Sequence, residues 1–188
     1  MLHEKGGIMT TVEPIRKIND LKKLEKVLKK NSLRDLVLFS FGVNTGLRIS
    51  DILALNVKDI KNKNFFWIVE KKTNKNKKVP INKKLRMMLK TYTDSKNPDE
   101  PLFTSNKSNR LDRISAYRII KKACKDCDIK VKAGTHTLRK TFGYHFYKKY
   151  NDILLLQKIF NHSSPTITLR YIGIEEERVF KSYMHFVI

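Results

Sequence analysis

Phe65-Phe66-Trp67-Ile68-Val69, a lysine-loaded run, and then Val79-Pro80-Ile81 form the stretch in which the apolar period of the chain changes. Five consecutive aromatic and β-branched residues are too few for a helix and suit a pleated, half-buried surface, so a strand is predicted there. Thr73 to Lys78 is polar and reads as a turn, and Val79 to Ile81 reads as the returning strand. The result is a small antiparallel β-sheet with a basic loop at its tip.

On both sides the apolar residues recur at helical spacing. Upstream, Asp20 reads as an N-cap for a helix carrying Leu21, Leu24, Val27 and Leu28. Ser32 caps a second helix through Leu36, Val37, Phe39 and Phe41, which Asn44-Thr45-Gly46 breaks, and Ser50 to Leu55 is a third, short one. Downstream, helices are predicted over Lys84–Tyr92, Ile114–Cys127, Thr137–Tyr150, Ile153–Phe160 and Glu175–Tyr183, with Pro165–Tyr171 reading as helical or turn-like, a loop around Pro98 and Pro101 and a short strand over His185–Ile188. The class is therefore α+β, mainly α-helical around one small antiparallel sheet. Residues 1–19 read as a loose leader, 20–173 as one domain and 174–188 as a C-terminal tail.

Lys and Arg total 40 against 18 Asp and Glu, a formal net charge of +22 in 188 residues. Self-repulsion of that size opposes compaction, so a polyanionic partner is expected, with nucleic acid first and an anionic membrane second. No amphipathic helix has an apolar face to spare for a membrane, no apolar run is long enough to span one, and the first residues lack a signal-peptide core. Two cysteines do not make a disulfide scaffold, and the chain reads as a cytoplasmic, reduced protein. Cys124 and Cys127 lie three apart on a predicted helix without a second ligand pair, so they read as small helical side chains, one packed inward, and no metal or cofactor is expected.

Three separated motifs carry potential chemistry. In Thr45-Gly46-Leu47-Arg48-Ile49-Ser50-Asp51 an arginine follows a glycine break, where a guanidinium and backbone N–H groups can meet an oxyanion. In His136-Thr137-Leu138-Arg139 an imidazole and a guanidinium share one helix face. In the third, His162 precedes a Ser163-Ser164-Pro165 turn, and Tyr171 follows nine positions after that histidine. Singly, each is matched by a bland reading: a capped helix, ordinary polar residues at a helix start, a half-buried structural tyrosine.

Together and in this order, Thr-Gly-Leu-Arg at 45–48, His-x-Leu-Arg at 136–139 and His-Ser…Tyr at 162–171, they closely resemble the tyrosine recombinase, or phage integrase, family over about Leu33 to Tyr171. Two features depart from the family. Asn161 stands where glycine is common before the last histidine, and asparagine tolerates a left-handed turn. The N-terminal DNA-clamping domain of the family has no room before residue 20.

The resemblance implies site-specific DNA recombination, integration or excision, through a covalent 3′-phosphotyrosyl intermediate. Tyr171 would be the nucleophile. Arg48 and Arg139 would clamp the nonbridging oxygens, His162 would add a hydrogen bond, His136 would assist proton transfer and Asp51 would orient Arg48. A hairpin lysine would protonate the leaving oxygen; Lys72 matches best, with Lys71 as runner-up. Lys71, Lys75, Lys77, Lys78 and Lys140 are candidate DNA contacts. The implied partners are double-stranded DNA, further copies of the chain as a tetramer on paired sites, and accessory DNA-bending or directionality factors. Competing readings are a type IB topoisomerase, a non-catalytic DNA-binding module, a metal-dependent nuclease and an RNA binder.

Overall fold

A computed structural model describes residues 12–69, 76–107, 109–134 and 136–187. Among them ten helices surround one two-stranded sheet: α1 Ile18–Asn31, α2 Leu33–Thr45, α3 Ile49–Ala54, α4 Val57–Ile60, β1 Phe65–Val69, β2 Asn76–Pro80, α5 Lys83–Thr93, α6 Arg113–Asp126, α7 Thr137–Tyr150, α8 Ile153–Phe160, α9 Pro165–Tyr171 and α10 Ile174–His185. The α+β class is the one expected.

The strands are antiparallel, with Phe65 opposite Pro80, Trp67 opposite Lys78 and Val69 opposite Asn76. Period two sends Phe66, Ile68 and Val79 into the core and leaves Phe65, Trp67 and Val69 on the outer face. The returning strand begins at Asn76, so Lys77 and Lys78 belong to the ladder and not to the turn. Ladder hydrogen bonds are made by backbone, so lysines take strand positions where their ammonium groups have somewhere polar to go.

The central helix is α2, where Val37, Leu38, Phe39 and Phe41 are each at most 1 % exposed. One side packs with the sheet, α5 and Phe103; the other packs on Leu24 and Leu28 of α1 and Ile120 of α6. A third apolar cluster joins Tyr144 and Tyr147 of α7, Leu156 and Phe160 of α8, and Ile172 and Ile174. Cys124 is buried, Cys127 half-buried, and both are free thiols.

Several boundaries differ from expectation. The described part of the leader is docked: Ile15 is 1 % exposed, its N–H donates to Thr141 Oγ1 at 2.9 Å, and its carbonyl accepts from His145 Nε2 at 2.9 Å. Helix α1 starts one residue after Lys17, which places Asp20 in the first turn, where a carboxylate suits the exposed N–H groups. The single turn α4 was not anticipated; Asn56 and Asp59 cap each other's backbone there. Phe186 and Val187 form no strand, and Ile188 lies outside the described residues.

Candidate active site

The first corner of the site is built by the end of α2. Thr45 turns its hydroxyl back to the Phe41 carbonyl at 2.8 Å, and Gly46 ends the helix with φ +64°. A side chain at Gly46 would be strained by that φ and would run into the Phe142 ring. Leu47 is buried, which aims Arg48 out of the core at the start of α3. Arg48 Nη1 lies 3.9 Å from Asp51 Oδ2, and Asp51 is 3 % exposed, so a buried carboxylate stands behind the guanidinium at ion-pair distance.

The second corner is the start of α7. Gly134 N–H donates to Thr137 Oγ1 at 2.8 Å, and His136 occupies the N-cap position. One turn on, Arg139 is 3 % exposed. Its Nη1 donates to the Gly46 carbonyl at 2.7 Å and its Nη2 to the Phe160 carbonyl at 2.8 Å, with the guanidinium carbon 4.2 Å from the Phe160 ring centre. Arg139 thus joins the glycine corner to the end of α8.

The third corner follows α8. Asn161 adopts φ +52°, so the asparagine does take the left-handed turn. His162 N–H then bonds the Gln157 carbonyl at 3.1 Å, and His162 Nδ1 lies 3.1 Å from Thr168 Oγ1. Ser164 caps α9 and Pro165 starts it, which brings Tyr171 back over His162 with ring centres 5.1 Å apart. The Tyr171 hydroxyl lies 3.2 Å from His136 Nδ1.

Four of the six expected catalytic residues therefore meet around Tyr171's ring and hydroxyl: His136, Arg139, His162 and Tyr171 itself. Arg48 is near enough to pull on the charge of both His136 and Tyr171. Burial raises the Tyr171 pKa above the ordinary phenol value, while the Arg139 charge, its hydrogen bond to the hydroxyl and Arg48 pull the other way. Burial, then the cations Arg139, Lys140, Arg113 and Arg48, lower the His136 pKa. At neutral pH the pair is thus a neutral phenol beside a neutral imidazole, and the hydroxyl can donate to Nδ1.

Of the expected lysines, Lys71, Lys72 and Lys75 lie outside the described residues. Lys77, expected as a DNA contact, instead donates to the Ile159 carbonyl at 2.5 Å, because β2 turns it inward beside Val79. Lys78 lies 3.9 Å from the Phe65 ring centre on the outer sheet face. Lys140 is half-buried, 5.2 Å from the Tyr171 ring centre, and burial lowers its pKa. It belongs to the surroundings of the tyrosine. Thr168 was missed: a threonine in a short helix carries no sequence signal until the turn places it under His162. Among the described residues no three His, Cys, Asp or Glu converge as metal ligands.

The site thus holds a tyrosine hydroxyl facing a neutral imidazole with guanidinium groups beside it, a nucleophile, a base and cations of the kind that act on phosphate. The sequence places that equipment in a known lineage. The chain belongs to the phage integrase family, whose description it matches over residues 13–178, and its fold is that of tyrosine recombinase catalytic domains. It is 46 % identical over 179 residues to the probable integrase/recombinase YoeC of Bacillus subtilis (strain 168), covering 95 % of this chain and 98 % of that one. A XerA recombinase shares the fold at TM-score 0.74 and 22 % identity, over 95 % of this chain and 68 % of its own. XerH bound to palindromic difH substrate does so at TM-score 0.70 and 21 % identity, over 93 % and 54 %. The chain spans about half the length of other curated relatives, 53 % of a Thermodesulfovibrio yellowstonii XerC and 54 % of a Pyrococcus furiosus XerA.

Proposed function

We propose that this chain cuts and rejoins double-stranded DNA at specific sites, for integration or excision, with Tyr171 as the nucleophile. The observation that carries the reading is the Tyr171 hydroxyl 3.2 Å from His136 Nδ1, inside the set Arg48, Arg139 and His162. His136, neutral at physiological pH, takes the phenol proton as the Tyr171 oxygen attacks phosphorus. Arg139 and Arg48 receive the charge that builds on the nonbridging oxygens, and His162 adds a further donor. The 5′ oxygen leaves with a proton from Lys72, and the 3′ phosphate stays on tyrosine. Attack by a 5′ hydroxyl on that link runs the same steps in reverse and reseals the strand without an external energy source.

The +22 charge supports DNA as the partner, as do solved neighbours of the fold that are bound to DNA, among them XerH and lambda integrase. The tail supports assembly on paired sites as a tetramer: beyond Glu177, Val179, Phe180, Tyr183, Met184, Phe186 and Val187 are all more than half exposed. Accessory directionality factors belong to the same reading.

The test is a nicked suicide substrate carrying a recombination site. The wild-type chain is expected to accumulate a covalent adduct that Tyr171→Phe abolishes while duplex binding persists. An adduct formed by the phenylalanine variant would move the nucleophile elsewhere and sink the assignment.

A further inference from the structure

The last four carbonyls of a helix have no partner within it, and how they are met shows what the helix end is for. In α8 all four are met, two of them by His162 and Arg139. The Gln157 carbonyl accepts from His162 N–H at 3.1 Å and the Lys158 carbonyl from Asn161 N–H at 3.1 Å. The Phe160 carbonyl accepts from Arg139 at 2.8 Å. The Ile159 carbonyl accepts from Lys77 Nζ at 2.5 Å, across 82 residues of sequence. The carboxyl end of α8 is therefore the junction from which His162 and Arg139 both take their positions, and Lys77 is its tie to the sheet.

The tie bridges parts that pack separately. Phe66, Ile68 and Val79 of the sheet belong to the apolar cluster around α2 and α5. Leu156 and Phe160 of α8 belong to the cluster with Tyr144, Tyr147 and Ile172. Apolar packing is non-directional and sets the spacing of two such bodies loosely, whereas a charged donor on a helix-end carbonyl fixes one point of each. The negative end of the helix dipole strengthens the bond. From the sequence, Lys77 reads as one basic hairpin residue among several facing DNA. Its half-buried position on the inward side of β2 argues otherwise.

We infer that Lys77 is a positioning residue: acting through the Ile159 carbonyl, it holds His162 and Arg139 in place for phosphoryl transfer, and it makes no phosphate contact. The inference rests on the recombinase reading above. Misplacing catalytic groups by about 1 Å can cost on the order of 100-fold in rate, while leaving binding by the rest of a basic surface intact.

The experiment compares wild type, Lys77→Met and Lys77→Arg. Methionine keeps an unbranched stem in the same space and removes the donor; arginine keeps a long cationic donor. Duplex affinity is measured over a salt series, and single-turnover adduct formation at saturating DNA, well below the unfolding midpoint of each variant. For Lys77→Met the slope of log K against log salt should be unchanged, and the cleavage rate should fall about 10- to 100-fold. Lys77→Arg should recover most of that rate. A slope shallower by roughly 0.9 with the saturated rate intact would make Lys77 a phosphate contact and overturn the inference. So would an unaffected methionine variant, or an arginine variant as slow as methionine. If the wild-type chain itself forms no adduct, the recombinase reading fails and takes the inference with it; an active wild type confines any failure to Lys77.

Discussion

Gly46→Ala is the substitution whose cost the structure lets one work out from two separate sources. Gly46 sits at φ +64°, where a residue with a Cβ is strained by roughly 1–2 kcal/mol. The new methyl would also meet Phe142 Cε1 and Cγ at 2.8 Å, far inside the ~3.5–4.0 Å at which carbons rest against each other. The ring cannot simply swing away, because Phe142 packs on Phe146 and Phe160 with ring centres 5.6 and 6.0 Å apart. Overpacking of this kind costs about 1–3 kcal/mol. The sum is on the order of 2–5 kcal/mol, or roughly 4–20 °C of melting temperature at about 2–4 °C per kcal/mol for a chain of this size.

A double-mutant cycle with Phe142→Ala separates the two sources, since truncating the ring removes the clash and leaves the φ strain. Urea unfolding of wild type, both single variants and the double variant should give a coupling of about 1–3 kcal/mol and a residual of roughly 1–2 kcal/mol for alanine at position 46 in the truncated background. The denaturant slopes should match, which keeps the comparison on stability. A Gly46→Ala cost below about 1 kcal/mol, or full additivity in the cycle, would refute the reasoning. The consequence for chemistry is specific. The Gly46 carbonyl receives Arg139, so the folded fraction of Gly46→Ala should cleave more slowly than its stability loss explains.

Arg139→Lys should lower single-turnover cleavage by on the order of 100-fold or more, because an ammonium cannot bond the Gly46 and Phe160 carbonyls and still lie flat on the Phe160 ring; near-normal cleavage would count against the clamp. Cleavage rate against pH should fall on the acid side as His136 protonates, with its midpoint below the ordinary imidazole value because burial and four cations disfavour the charged form. A midpoint above about 6.5 would contradict the assigned base. Glu177 is pulled down to about 2: burial pushes its pKa up, but hydrogen bonds from Lys148, Lys181 and Tyr144 outweigh that. A depressed carboxylate stabilises above its unfolded pKa and loses that contribution as pH falls from about 4.5 towards 2, so hydrogen exchange in α10 should accelerate in that window and, at neutral pH, in Glu177→Gln.

What the sequence made legible was whatever one local rule determines. The apolar run at Phe65–Val69 and the helical spacing of α7 and α8 stand where expected, because capping and periodicity act within a few residues. Asn161 could be read as a left-handed turn for the same reason. Lys77 could not. Its neighbour Lys78 is chemically alike, and only the pairing register of β2 with β1 decides which of the two faces inward. Thr141 and His145 carried no signal for a related cause: each bonds a group on a segment more than 120 positions away, the Ile15 N–H and the Ile15 carbonyl respectively. The segment around Ile15 was read as loose because its apolar residues show no helical or strand period, and the groups that hold its backbone, Thr141 and His145, lie more than 120 positions away.

Tyr171 stands between a fixed point and an unsatisfied surface. On its upstream side α9 is set by the Ser164 cap and by Thr168, whose hydroxyl bonds the Ser164 carbonyl at 3.1 Å. Just downstream, Ile172 and Ile174 are at most 2 % exposed, and Gly173 turns at φ +75° with Arg16 against it. Three residues further, Glu177 ties α10 to Tyr144 and Lys148 of α7 at 3.0 and 2.8 Å. Arg178 adds a bond to the Tyr147 hydroxyl at 2.6 Å, but beyond it Phe180, Tyr183 and Met184 are each at least 67 % exposed. Full burial of one such side chain is worth roughly 1.5–3 kcal/mol, so a neighbouring copy that covered several of them would gain enough to hold a multimer together on DNA. Because only Ile172 and Gly173 separate the tyrosine's helix from α10, a neighbour docked there would bear directly on where Tyr171 sits. Removing residues 179–188 keeps the Glu177 bonds to Tyr144 and Lys148, gives up the one from Lys181 and takes away the uncovered apolar part. That truncated chain is expected to bind a single site and form the tyrosyl adduct, yet fail to exchange strands on a paired-site substrate. Recombination at the full wild-type level by the truncated chain would remove the tail from assembly.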